Sequence, residues 1–175
     1  MEWRKKVGEE EANKISKRAS TRGNKCHKLC ELYLGNESIS KYKDDPLSMG
    51  LFYQIKPYLD SIDNIHALEA PLCSSLLKMA GRVDCIAEYN GELAIIDFKT
   101  STKTKREEWI DDYFSQETAY AIMFQELTGL KVKQLVTIIA TEQGTPQIFV
   151  KNNILEFVPK LKEYIDYYKE IHGDW

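Results

Sequence analysis

Asn90-Gly91 stands between two apolar runs, "GRVDCIAEY" and "ELAIIDFKT", and constrains the fold more than any other dipeptide in the chain. Asn-Gly in this setting is the strongest short-range signal for a β-hairpin with a two-residue type I′ turn. With Asn90 and Gly91 as the turn, Tyr89 faces Glu92, and the register carries Asp84 opposite Asp97 and Arg82 opposite Lys99. Side chains repeat on one face every second residue, so Asp84, Asp97 and Lys99 are expected together. Directly opposed residues have Cβ atoms only ~4.5–5.5 Å apart. Two carboxylates so placed repel and need a shared proton, a nearby cation or a metal ion. The strands alone leave two readings. In one, Arg82 and Lys99 neutralise the acids and the hairpin is merely salt-bridged. In the other, the acids are oxygen ligands for Mg2+ or Mn2+, and the lysine holds water or stabilises charge on a phosphate.

Around the hairpin the chain reads as α+β. Helices are expected over residues 3–18 and 22–34, the second with Gly23, Cys26, His27, Cys30 and Leu34 near one stripe. Asp45-Pro46 opens a further helix. "IHALEAPL" reads as a short strand. A long amphipathic helix covers residues 107–128 and stops at Gly129. "QLVTIIATE" and "PQIFVK" form a hairpin around Gly144, and a closing helix carries Pro159 near its first turn. "GNESISKYKDD" is the candidate mobile loop. With 175 residues and no internal repeat or linker, residues 1–175 are expected to form one domain.

Net charge is −3, but it is unevenly spread. Residues 1–28 hold nine Lys/Arg against four Glu, and "KTKR" adds a second basic run. These are either solvated faces or an electrostatic footprint for an anionic polymer. The four cysteines, at 26, 30, 73 and 85, form no CxxC pair, which argues against a disulfide scaffold and for a reducing compartment. The charged N-terminus is no secretory signal, and no apolar run approaches the ~20 residues of a membrane span. No membrane partner is expected, and the expected location is intracellular and cytoplasmic.

Two helical pairs stand out. His27 and Glu31, and Gln116 and Tyr120, each lie at i, i+4 and share a helix face. In chain order the motifs are G-x-x-x-H (Gly23 to His27), G-x-x-D (Gly81 to Asp84), D-x-K (Asp97 to Lys99) and Q-x-x-x-Y (Gln116 to Tyr120). Together they resemble the RecB-like exonuclease branch of the PD-(D/E)XK nuclease superfamily. "GRVDCIAEYNGELAIIDFKTS" is similar to its mitochondrial genome maintenance and phage-encoded members. The chain departs from the family in two ways: Val83 stands where the superfamily name has proline, and no cysteines follow Tyr120, which excludes the iron–sulfur subgroup.

The resemblance implies a restriction-endonuclease-like α/β/α core with a central mixed sheet flanked by helices. It implies a Mg2+- or Mn2+-dependent DNA exonuclease, preferring single-stranded ends and acting as a monomer, with no iron–sulfur cluster. It makes Asp84, Asp97, Lys99, Gln116 and Tyr120 catalytic. His27, Asp84, Asp97 and the Phe98 carbonyl become metal ligands, with Glu31 and Glu69 supporting them. Arg22, Lys25, Lys103, Lys105 and Arg106 would meet phosphates, and Trp3, Trp109 and Tyr113 would stack on unpaired bases. A structure-specific or nicking endonuclease, or a catalytically idle nucleic-acid-binding module, is the alternative.

Overall fold

The computed structural model describes residues 2–173, with side chains from Arg4 onward; the Trp3 side chain lies outside the described residues. The helices are α1 (Glu2–Val7), α2 (Glu9–Leu34), α3 (Pro46–Leu59), α4 (Asp111–Thr128) and α5 (Val158–His172). Five strands, β1 (Ile62–Ser74), β2 (Met79–Tyr89), β3 (Glu92–Lys103), β4 (Gln134–Gln143) and β5 (Gln147–Lys151), lie in one sheet in chain order. Only β3 and β4 are parallel among the neighbours. Parallel neighbours need a crossover, and α4 supplies it.

The sheet is covered on both faces. On one, Leu29 of α2 and Phe52 and Ile55 of α3 meet Cys85, Ile96, Phe98 and Ile138. On the other, Phe114, Met123 and Phe124 of α4 and Leu161 of α5 meet Ile86, Ile95, Leu135 and Ile139. Covered faces explain why β3 and β4 read as near-continuous apolar runs. The result is the α/β/α layering expected of the α+β class, around a mixed sheet.

The Asn90-Gly91 turn is as expected: both residues have positive φ, and pairing runs from Tyr89↔Glu92 to Cys85↔Ile96. There the ladder ends. Asp84 and Asp97 are not a paired position. Instead the Phe98 amide donates to Asp84 Oδ2 at 2.8 Å, a side chain taking over from the neighbouring strand. On the other side, β1 pairs at Leu68↔Cys85 and Ala70↔Val83 but skips Glu69 and Asp84. Glu69 adopts a left-handed backbone, φ 47°, costly for a residue with a Cβ. The same break lets Val83 and Cys85, two apart, lie in opposite cores.

Other expectations shift. The two helices expected over 3–18 and 22–34 are one, α2; the break falls at Gly8, φ 86°, and Gly23 is carried inside the helix. The β1 strand is longer than "IHALEAPL". Asp45 caps α3, accepting the Ser48 amide, with Pro46 in the first turn. Gly129 closes α4 in the left-handed conformation. No described helix is long and apolar enough to cross a membrane.

Candidate active site

The broken ladder delivers side chains from three elements to one point. His27 projects from α2, with Nδ1 3.3 Å from Asp84 Oδ2 and 3.9 Å from Glu69 Oε1. One ligand atom from each of His27, Glu69 and Asp84 can be taken such that all lie within 4.8 Å of one another. Burial presses the His27 imidazole down, but the adjacent Asp84 carboxylate outweighs it and the pKa is raised. Burial, reinforced by Asp84, raises Glu69.

Asp97 and Lys99 follow Ile95 by strand alternation and turn toward α4. They form an ion pair. Burial pushes Asp97 up to about 6, with Lys99 pulling it back and Asp84 pushing it further. Its Oδ2 is buried and receives no aligned hydrogen bond. Lys99 Nζ also lies 3.5 Å from Gln116 Oε1 and 5.2 Å from the centre of the Tyr113 ring. Gln116 Nε2 in turn donates to the Tyr120 hydroxyl at 3.4 Å. Gly81 explains its place in the G-x-x-D motif here: a Cβ would fall 2.8 Å from Tyr120 Cε1. The corresponding space beside Gly23 is looser, its nearest neighbour being Thr100 Oγ1 at 3.8 Å.

Arg82 does not oppose Lys99. It pairs with Pro71 across β1 and lies 3.9 Å from Glu69 Oε2. The salt-bridged hairpin is therefore half present: Lys99 meets Asp97, while Asp84 faces an imidazole. Glu31, at the edge of the cluster, is paired with Lys28 at 2.7 Å.

Two acids were not anticipated. Glu117 on α4 is fully buried, hydrogen-bonded to Thr137 through one oxygen, with Oε2 unpartnered. Burial, with Asp97 adding repulsion, pushes its pKa well up. The signal was in the sequence: Glu117 lies three residues after Phe114 and four before Ala121, on the apolar stripe of α4. Glu142 receives Arg18 and Arg22.

These partners correct the expected phosphate contacts. Arg22 is buried, its guanidinium donating to Thr100, Thr102 and Glu142, so it fastens α2 to the sheet. Lys25 is paired with Asp45. Lys103 and Lys105, by contrast, line a groove of about 520 Å³ together with Thr100, Thr102 and Trp109. Arg106 lies 5.1 Å over the Trp109 ring, which is 61% exposed. The Gln147 side chain holds the Lys105 backbone at both N–H and C=O, fixing the loop to β5.

The profile of the PD-(D/E)XK nuclease superfamily matches residues 24–170, most of the chain. The chain belongs to that superfamily. Its similarity to mitochondrial genome maintenance exonuclease 1 is 30% identity over 100 residues for the human protein and 34% over 110 residues for that of Xenopus tropicalis. Those stretches are 57% and 59% of this chain but 29% and 31% of the relatives, so under a third of each relative is matched. A crystal structure of a candidate exonuclease from Eubacterium rectale superposes with a TM-score of 0.55 at 14% identity, over 83% of this chain and 64% of that one. It shares the fold.

Nucleases of this superfamily use divalent metals, and the donors fit one. Carboxylate oxygens with one imidazole suit a hard or borderline divalent ion with open positions.

Proposed function

We propose that this chain is a Mg2+- or Mn2+-dependent DNA exonuclease that prefers single-stranded ends, with residues 1–175 acting as one nuclease domain. The observation that carries it is the convergence of His27, Glu69 and Asp84 beside the Asp97–Lys99 pair.

His27, Asp84, Asp97 and the Phe98 carbonyl would hold the cation, and Glu69 joins them as a ligand rather than a distant support. When bound, the cation polarises the scissile phosphate and stabilises the departing oxygen. Asp97 raises the Lys99 pKa against the opposing effect of burial, which keeps the ammonium charged. A charged Lys99 orients the attacking water and stabilises negative charge developing on the phosphate. Gln116 and Tyr120 fix the ammonium's position, one through its carbonyl and the other through Gln116. Lys103, Lys105 and Arg106 meet the backbone phosphates without regard to sequence, and Trp109 offers a ring to an unpaired base.

The test is end-labelled single- and double-stranded DNA incubated with Mg2+, Mn2+ or EDTA, alongside circular single strands. Mononucleotide release from linear single strands, absent in EDTA, is expected. Cleavage of circles identifies an endonuclease instead, and full activity in EDTA removes the metal mechanism.

A further inference from the structure

Lys14, Lys17, Arg18, Thr21 and Lys25 fall at i, i+3, i+4, i+7 and i+11 of α2, which sets them on one side of the helix. Gly23 and His27 lie on the other side, toward Thr100 and Asp84. With the start of α3, the basic stripe encloses a trough of about 360 Å³. Arg18 and Arg22 lead from it into a hollow of about 280 Å³ beside Thr102 and Gln143. Ala19, Arg22 and Thr102 lead from there into the groove of Lys103, Lys105 and Trp109. A continuous path thus runs from that groove, round α2, to its outer face. Seven cations line it against two acids, Asp45 and Glu142, in a chain whose net charge is −3. The acids do not cancel the cations. Glu142 is shared by Arg18 and Arg22. Lys14 is paired with Glu10, outside the path, at 3.0 Å, and both side chains are largely exposed. Among the described residues no carboxylate pairs with Lys17.

We propose that the outer face of α2 holds the phosphodiester backbone of the same single strand at a distance from the cleaved bond, with Lys14, Lys17 and Arg18 as its contacts. The excess of positive charge selects a polyanion. Continuity with the Lys103–Lys105 groove selects the strand already lying there. Lys14 to Lys25 spans about 16 Å of helix, long enough for several consecutive phosphates at the ~3.4 Å spacing of a B-form strand. Exposed ion pairs such as Lys14–Glu10 are weak, so a phosphate competes with the acid for the ammonium. The proposal rests on the nuclease reading and extends it: substrate is gripped on both sides of α2, and a strand too short to round the helix loses the second grip.

The test is binding of a trinucleotide and a long oligothymidylate, by anisotropy in EDTA across a salt series, to the wild type, to Lys14→Gln combined with Lys17→Gln, and to Lys14→Arg combined with Lys17→Arg. Cleavage is measured separately in Mn2+. For the long strand, the glutamine pair is expected to lower the slope of log affinity against log salt by about 1.4, two phosphate contacts on a single strand. The trinucleotide is expected to bind it as it binds the wild type, and the arginine pair to keep the wild-type slope. An unchanged slope with the glutamine pair overturns the proposal, as does an equal loss for the trinucleotide, which marks a general field effect and no local contact. Phosphatidylserine vesicles whose binding falls with the glutamine pair while the long strand is unaffected assign the stripe to a membrane surface and overturn it too. A lowered slope without any cleavage leaves the path standing and removes the nuclease reading. Cleavage with an unchanged slope does the reverse.

Discussion

Glu117 is a carboxylic acid set in an apolar layer, and its environment favours the protonated form. For an acid whose folded pKa is raised, the folded state loses stability as pH climbs above the unfolded value, until the folded pKa is passed. Glu117→Gln keeps an acceptor for Thr137 and removes that loss. Its melting temperature is expected to match wild type near pH 4 and to exceed it by about 2–4 °C at neutral pH, read by calorimetry across that range. His27 gives a complementary test. His27→Ala is expected to weaken Mn2+ affinity by about tenfold or more, measured by calorimetric titration, with an unchanged melting temperature in EDTA. A protein that melts early at unchanged Mn2+ affinity would make His27 a packing residue. At this scale the hairpin spacing put Asp84, Asp97 and Lys99 on one face, while the part of His27 came from the family resemblance and not from spacing. Glu69 was placed in a supporting role because its exposure to His27 depends on a left-handed backbone, and nothing in "ALEAP" announces one.

Two glycines separate local from tertiary demands. Gly81→Ala drives a methyl against the Tyr120 ring. It is expected to cost about 1–3 kcal/mol of stability and to lower kcat by displacing the Tyr120–Gln116–Lys99 chain; denaturant melts and steady-state kinetics check both. Gly23→Ala meets ordinary contact only, in the interior of a helix. It is expected to stabilise by about 0.5–1 kcal/mol. Elements with local chemistry at their ends were legible: the Asn90-Gly91 turn, the Asp45 cap, the Gly129 stop. The break at Asp84 was not, because it is set by α2 and β1 together, and the hairpin arithmetic sees only two strands. The continuity of α2 fits the absence of any helix breaker in residues 19–22, and Gly23 alone does not interrupt it.

Across the described residues, some cations are tied into the fold and others are proposed to meet a ligand. Arg22 and Lys25 belong to the first group. Neutralising Lys103, Lys105 and Arg106 together is expected to reduce the slope of log affinity against log salt for single-stranded DNA by about 2, measured by anisotropy titrations. Composition could not make this division, since it counts a buried arginine and an exposed lysine alike. The helical cover on both faces of the sheet was implied by the family resemblance, whereas the packing of α5 beside Met79 and Ala80 is a tertiary arrangement with no local signal.

The parallel pairing of β3 with β4 also sets an order in time. Every residue proposed for the chemistry lies before position 121, yet β3 gains one of its two neighbours only when residues 134–143 arrive. Arg22 likewise waits for Glu142, 120 residues further on. A chain emerging from the ribosome therefore exposes all of the side chains proposed for the chemistry well before it can align them. On the proposed function, competence comes late in synthesis, and a product truncated before β4 carries every residue assigned to the site without the frame that holds it.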